Sequence, residues 1–190
     1  VPRERLEEVE GLARQAADAF VLGDPGDEAT QLGPIANAAQ FKRIQSMIEA
    51  GIAEGAKLVA GGPGRPAHLS HGFFARPTVF SEVTPRMRIA REEIFGPVLA
   101  IQPYRDEEEA IAIANDTVYG LGSCVQSRDL AHARRVAARI RAGQVHINYP
   151  EWSPFAAFGG YKQSGNGREY GVAGLEEYLE TKTVLGYETA

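Results

Sequence analysis

Residues 98–148 read VLAIQPYRDEEEAIAIANDTVYGLGSCVQSRDLAHARRVAARIRAGQVHIN, and they carry short apolar runs separated by two longer segments. The apolar runs cover residues 98–101, 119–125 and 145–148. Runs of this length, bounded by turn residues and containing β-branched side chains, are typical of buried strands. The sequence therefore predicts three strands in this region.

The two segments between these runs have the spacing of helices. Asp106 precedes the first helix, predicted over residues 107–114, and Glu109 follows three positions later as in a capping box. Asp129 begins the second helix, which is predicted to end at Gly143. Strand, helix, strand, helix, strand at these lengths is typical of parallel βαβ crossovers. We therefore predict an α/β fold with a mainly parallel sheet and flanking helices.

Further elements are predicted on both sides of this region. Before it we expect a helix over 3–20, a strand at 57–60, an extended segment over 73–83, and a helix that begins near Gly33-Pro34 and has Phe41, Ile44, Ile48 and Ile52 on one face. After it we expect a Gly- and aromatic-rich loop over 149–167, a helix near 168–180 and an extended segment over 181–185.

Composition excludes several classes of protein. The chain has 190 residues, with 20 Lys plus Arg against 25 Asp plus Glu, and its net charge is −5. An acidic balance without a basic run argues against nucleic-acid binding, and no apolar stretch approaches the ~20 residues of a membrane span. One cysteine cannot form an internal disulfide, and no leader pattern is present. We therefore expect a cytoplasmic protein with no nucleic-acid or membrane partner.

Several common catalytic and binding motifs are missing from the sequence. Gly61-Gly62-Pro63-Gly64 has the wrong spacing for a dinucleotide fingerprint, and neither a Walker loop nor a Gly-x-Ser-x-Gly elbow is found. His68 and His71 have no third ligand nearby, so we predict no metal site. Cys124 lies in an apolar strand with no neighbouring His, Lys or helix start to activate its thiol. We expect a buried structural cysteine there, and no nucleophile.

Six motifs, taken together, resemble one family: Glu92 to Val98, Asn115 with Tyr119-Gly120-Leu121, Gly143 to Asn148, Phe158 to Lys162, Ser164 to Glu169, and Thr181 to Val184. In this order and spacing they resemble the NAD(P)-dependent aldehyde dehydrogenase superfamily. The resemblance implies most of a catalytic domain over residues 1–180 and an oligomerisation tail over 181–190. It also implies that the family's nucleophilic cysteine, general-base glutamate and Rossmann domain lie outside this chain, so we expect no catalytic residue within it.

The resemblance implies a cofactor role for three residues. Glu93 would accept hydrogen bonds from the vicinal hydroxyls of the nicotinamide ribose, and Phe95 would pack against the nicotinamide. Glu92 is expected to be structural or solvent-facing. Gln40 matches a position that touches cofactor ribose, the alternative being a merely solvated glutamine. The choice between NAD and NADP stays open, because the resemblance puts it in the Rossmann domain.

The loop that follows Asn148 is expected to line part of the family's substrate tunnel. Asn148 itself is expected to hold the loop through side-chain bonds to backbone. Four aromatic residues in ten would supply the tunnel wall; they are Tyr149, Trp152, Phe155 and Phe158. The alternative is that these rings only pin the loop. A tunnel wall without basic residues suits uncharged or apolar aldehydes. A cationic aminoaldehyde is the weaker alternative, because the carboxylate of Glu151 would attract its charge.

The predicted function is oxidation of an aldehyde to a carboxylic acid by NAD(P)⁺ through a cysteine thiohemiacetal, in a homo-oligomeric intact enzyme (dimer or tetramer). The chain opens Val1-Pro2-Arg3-Glu4, without methionine and with helical spacing, as expected of a segment of a longer polypeptide; a processed N-terminus is the alternative. The isolated chain is predicted to be inactive. The rival hypothesis is a stand-alone, non-catalytic module for subunit association, which the residues encoded upstream of Val1 would distinguish.

Overall fold

A three-stranded sheet forms the centre of the first part of the chain. The computed structural model describes residues 1–186, in which Val1–Ile113 form one compact unit and the residues from Ala114 onward form a second. The sheet contains β1 (Lys57–Ala60), β2 (Thr78–Ser81) and β3 (Val98–Ala100) in that order. β1 and β2 are antiparallel, whereas β2 and β3 are parallel. All four residues of the central strand are buried.

Helices cover this sheet and complete two apolar clusters. They are α1 (Leu6–Ala19, after a 3-10 turn at Arg3–Arg5), α2 (Ala38–Ala53) and α3 (Arg88–Arg91). A fourth helix, α4 (Glu107–Asn115), follows β3 in the chain. In the larger cluster, Ile44 and Ile48 of α2 are fully buried with Phe80 of β2. Leu6 of α1 packs in the second cluster, which also contains Val79. Burial of this apolar surface is the main force that holds the unit together.

The second helix begins later than the sequence analysis predicted. Gly33-Pro34 lie before it, and Asn37 is its N-cap, because the Asn37 Oδ1 accepts a hydrogen bond of 2.8 Å from the backbone N–H of Gln40. An asparagine in this place satisfies a donor that the first turn leaves unpaired. Ile44 and Ile48 on the predicted face are fully buried, whereas Ile52 in the last turn is 42% exposed.

The second unit contains the predicted βαβ crossover. β4 (Gly122–Val125) and β5 (Gln144–Ile147) are parallel, and α5 (Leu130–Ala137) connects them. Asp129 caps α5 as expected, with its Oδ1 accepting from the His132 N–H at 3.0 Å. The helix ends at Ala137 rather than at Gly143. The predicted helix near 168–180 is shortened to α6 (Gly171–Glu176), and a 3-10 turn covers Lys162–Ser164.

The α/β class is confirmed, and among residues 1–186 two of the three pairings between strands are parallel. The first of the two predicted parallel crossovers, between the strands at 98–101 and 119–125, is not formed, because β3 pairs with β2 and β4 pairs with β5. The helix between β3 and β4 therefore joins two sheets. Among residues 1–186, no helix is both long enough and apolar enough to cross a membrane.

The tail predicted over 181–190 falls partly outside the described residues, which end at residue 186. Residues 181–186 belong to no helix or strand, and Val184 and Leu185 are exposed. The division into a catalytic domain and an oligomerisation tail stays a prediction.

An ion pair between α1 and β1 should make stability depend on pH. Glu10 is 8% exposed and accepts a 2.6 Å hydrogen bond from the Nζ of Lys57, which lowers the pKa of the Glu10 carboxyl. Because the pKa of the Glu10 carboxyl is lower in the folded chain than in the unfolded chain (~4.3), the ion pair stabilises the fold at pH values above ~4.3. This stabilisation is lost as the pH falls through the folded-state pKa.

We therefore expect Glu10→Gln to cost about 1 kcal/mol of unfolding free energy at neutral pH, because the Lys57 side chain is largely exposed and the pair is screened. Urea unfolding of the chain between pH 3 and pH 8 measures this cost, with Glu7→Gln on the exposed side of α1 as control. The difference between wild type and Glu10→Gln should shrink towards zero at the acid end. A difference independent of pH would contradict the assignment.

Candidate active site

The turn between α3 and β3 presents two of the predicted cofactor residues. Glu93 is exposed, Phe95 is 73% exposed, and Ile94 between them is buried in the larger apolar cluster. The buried isoleucine anchors the turn, so the carboxylate and the phenyl ring on either side of it point into solvent. Exposing a phenyl ring to water is unfavourable because of the hydrophobic effect. Packing of the fold alone therefore does not explain why the Phe95 ring is exposed.

Phe95 has a strained backbone. Its φ is 56°, in the left-handed region that bulky side chains rarely adopt. Such conformations cost ~1–3 kcal/mol and are concentrated at functional sites. The next residue, Gly96, has no room for a side chain, because a Cβ there would lie 2.6 Å from the Cδ1 of Ile44. After it, the Thr78 N–H donates to the Pro97 carbonyl at 2.8 Å and attaches the turn to β2.

Two side chains of α2 hold this turn from the side. The Nε2 of Gln40 donates to the carbonyls of Phe95 at 2.8 Å and Ile94 at 3.4 Å. The Nη2 of Arg43 donates to the Glu93 carbonyl at 2.7 Å. The structure therefore brings together the three residues Gln40, Glu93 and Phe95 that the sequence analysis grouped. Arg43 was not predicted, although its position three residues after Gln40 puts it on the same helix face.

Glu92 has the structural environment expected of it. Arg88 donates to both carboxylate oxygens, at 2.8 and 3.1 Å, one helical turn away. The hydrogen bond from Arg88 lowers the pKa of the Glu92 carboxyl. Glu92 thus forms an ion pair within its own turn, while the neighbouring Glu93 is directed elsewhere.

The aromatic loop of the second unit forms one wall of a cavity of about 660 Å³. All four predicted rings are exposed. Trp152 and Phe158 line this cavity, whereas Tyr149 and Phe155 are not among its described lining residues. Trp152 packs edge-to-face on Tyr170, with ring centroids 6.0 Å apart. Tyr170 was not predicted, since it lies beyond the loop in sequence.

Hydrogen bonds at both ends fix this loop. The side chain of Asn148 accepts from the Ser127 N–H at 2.9 Å and donates to the Ser127 carbonyl at 2.7 Å, in agreement with its predicted role in holding the loop. At the other end, Phe158 and Glu169 exchange two backbone hydrogen bonds of 2.8 and 2.7 Å. The cavity is also lined by the carboxylates of Glu151 and Glu169.

The predicted burial of Cys124 was wrong. Cys124 is exposed, and its register partner on β5 is His146, which is also exposed. Partners in neighbouring parallel strands have side chains on the same face, so a histidine does lie beside this cysteine. An apolar strand is buried only where another layer covers it, and no described residue covers this face at Cys124. The expectation that Cys124 is not the nucleophile stays a prediction.

Comparison with known proteins decides the family. Residues 1–184 match the Aldehyde dehydrogenase family. The chain belongs to the aldehyde dehydrogenase family.

Solved aldehyde dehydrogenases share this fold at high identity. A cysteine-to-alanine variant of aldehyde dehydrogenase C from Pseudomonas syringae, complexed with NAD⁺ and octanal, is 67% identical with a TM-score of 0.96 over 100% of this chain and 39% of its own. The Mycobacterium tuberculosis aldehyde dehydrogenase complexed with NAD⁺ is 46% identical with a TM-score of 0.93, over 100% of this chain and 40% of its own. These matches confirm the predicted fold class.

A curated relative, 3-succinoylsemialdehyde-pyridine dehydrogenase from a Pseudomonas species, is 55% identical over 99% of this chain and 39% of its own length. The chain thus spans about two fifths of the aldehyde dehydrogenases that it resembles. The family match contains all of the first unit and the second unit as far as residue 184.

Proposed function

We propose that this chain acts within an NAD⁺-dependent aldehyde dehydrogenase, where it contacts the nicotinamide ribose and lines part of the aldehyde tunnel. The observation that carries the proposal is the turn at Glu93 and Phe95, which is held by α2 with both side chains displayed to solvent. Complexes of two related aldehyde dehydrogenases with NAD⁺ support the choice of this cofactor.

The residues of the turn fit a nicotinamide riboside. An exposed carboxylate can accept hydrogen bonds from two vicinal hydroxyls, and charge-assisted bonds of this kind are strong and directional. A displayed phenyl ring can stack on the face of a nicotinamide. NAD⁺, when bound, supplies the hydride acceptor. The contribution of Glu93 and Phe95 is to orient that acceptor, and orientation is a large part of what a protein adds to cofactor chemistry.

The cavity in the second unit favours uncharged aldehydes. Its walls include Trp152 and Phe158, and the ionisable groups in its described lining are His146, Tyr170 and the carboxylates of Glu151 and Glu169. A carboxylate on the substrate would be repelled there, whereas an alkyl chain gains from contact with the rings. The P. syringae relative complexed with octanal supports an apolar substrate.

The test compares aldehydes in the full-length enzyme that carries these residues. We expect octanal to exceed succinic semialdehyde by at least about tenfold in kcat/KM, a difference on the scale of one unfavourable charge contact. NADH absorbance with equal enzyme concentrations measures both rates, and Glu151→Gln should narrow the gap. A clear preference for succinic semialdehyde would contradict the substrate class, and no NADH with any aldehyde would contradict the function.

We further propose that the 190 residues alone do not oxidise aldehydes. The only thiol is Cys124, and the sequence contains no dinucleotide fingerprint to hold the pyrophosphate of the cofactor. Contact with the nicotinamide end alone is too small to offset the freedom that NAD⁺ loses on binding. The same NADH assay on the purified chain tests this, and turnover that Cys124→Ser abolishes would overturn it.

Association into a homo-oligomer and a cytoplasmic location remain part of the proposal. Exposed apolar side chains near the end of the described residues, at Tyr178, Leu179, Val184 and Leu185, favour burial against another subunit. This observation also suits the rival module for subunit association, which predicts oligomers without aldehyde oxidation by the full-length protein.

A further inference from the structure

We infer that Gln40 is a positioning residue for the nicotinamide contact, acting through the backbone of Phe95 rather than only through the cofactor. This inference rests on the proposed function, because it concerns how the same turn is kept in its working conformation. The resemblance assigns Gln40 a direct contact with ribose, whereas the described contacts of its side chain are with the carbonyls of Phe95 and Ile94.

The conformation of the turn needs external support. Phe95 is at φ 56°, and a phenylalanine left to itself strongly prefers negative φ. A strained backbone conformation persists only where several surrounding contacts hold it in place. The phenyl ring cannot give that support, since it is 73% exposed and makes little contact with the core. The restraint therefore has to act on the main chain.

α2 supplies the restraint at two successive turns of the helix. The backbone of Gln40 is fixed by the Asn37 cap, so its side chain starts from a defined point. Its Nε2 donates to the Phe95 carbonyl at 2.8 Å. Four residues later, Ile44 is fully buried and packs so closely on Gly96 that a Cβ could not be added there. The residues at i and i+4 lie on one face of a helix, so both hold the turn from the same side.

The hydrogen bond to the Phe95 carbonyl requires, at position 40, a side chain about as long as glutamine that carries a donor. A carboxylate at position 40 would face the Phe95 carbonyl without a proton to donate, and a thioether would leave that carbonyl unbonded. The Oε1 of Gln40 is the atom that a direct contact with ribose would use. The two roles can therefore be separated by experiment, since only the positioning role passes through Phe95.

The decisive experiment is a double-mutant cycle in the full-length enzyme with NAD⁺ and octanal. Gln40→Met removes the donor and keeps the length of the side chain, Phe95→Ala removes the ring, and Lys42→Met on the same helix is the exposed control. We expect Gln40→Met to lower kcat about tenfold with little change in the KM for aldehyde, and to have less than a twofold effect in the presence of Phe95→Ala. Gln40→Lys, which retains a donor, should recover most of the rate.

A second readout needs no bound cofactor. With 4-fluorophenylalanine at position 95 of the cofactor-free enzyme, the wild type and Lys42→Met should give the same narrow fluorine resonance, and Gln40→Met should shift or broaden it. A full tenfold loss from Gln40→Met both with and without the Phe95→Ala substitution, or an unchanged kcat and resonance, would overturn the inference. Failure of the proposed function would be seen separately, as a wild-type enzyme that forms no NADH.

Discussion

Glu93→Gln is expected to slow hydride transfer about a hundredfold in the full-length enzyme, with little loss of aldehyde affinity. The exposed carboxylate of Glu93 would accept hydrogen bonds from two ribose hydroxyls. The neutral amide that replaces it is a weaker acceptor. A misplacement of ~1 Å at the reacting atoms is enough for a loss of this size. Single-turnover NADH formation after rapid mixing measures the hydride step directly.

Glu92→Gln is the matched control for this variant. It changes the adjacent carboxylate by the same atoms, but the Glu92 side chain is engaged by Arg88 and has no proposed cofactor contact. We expect it to alter the hydride step by less than about threefold, since an exposed ion pair of this kind contributes little. Equal losses of hydride-transfer rate in the two variants, or an unchanged rate in Glu93→Gln, would contradict the proposed contact between Glu93 and the ribose.

Gly143→Ala is expected to prevent stable folding of the second unit. A Cβ at Gly143 would clash with the Gly159 carbonyl oxygen, which no side-chain rotation can relieve because the obstacle is backbone. The backbone must approach this closely because the Gly143 and Tyr161 N–H groups both donate to the Gly120 carbonyl, at 2.9 and 2.8 Å. We expect a loss above ~4 kcal/mol, at the extreme of point substitutions.

Urea unfolding of the chain, followed by circular dichroism, measures this effect, and Gly122→Ala is the control. Gly122 lies in β4 of the same small sheet, and a Cβ there would meet nothing within 4 Å. Alanine there should change stability by under about 1 kcal/mol. Similar midpoints for the two variants would show that the close approach of Gly143 to Gly159 is not required.

Local sequence patterns predicted the structure correctly where the contacts that determine it lie close together in the sequence. The crossover from β4 through α5 to β5 was predicted because its strands are close in sequence and Asp129 caps its helix. Periodicity identifies a strand without identifying its partner, so the separation of β3 from β4 into two sheets was not predicted. The start of α2 was misplaced because proline at 34 suggested a first turn, whereas Asn37 supplies the actual cap.

The candidate site shows the same limit. Glu93 and Phe95 were found through resemblance to a family, but the hydrogen bonds that hold their backbone come from Gln40 and Arg43, which lie on a helix far earlier in the chain. No local pattern encodes a side chain that donates to a distant carbonyl. The burial of Cys124 was mispredicted for a related reason, because strand composition does not tell whether a second layer covers the strand.

In the proposed function, Glu93 holds the nicotinamide ribose by its two vicinal hydroxyls. The most direct test measures single-turnover hydride transfer for wild type and Glu93→Gln with NAD⁺ and with an analogue whose nicotinamide ribose lacks both vicinal hydroxyls. Two changes that remove the same contact are not additive. We expect the roughly hundredfold loss seen with NAD⁺ to fall below about threefold with the analogue. An equal loss with both cofactors would show that Glu93 does not act through the ribose hydroxyls.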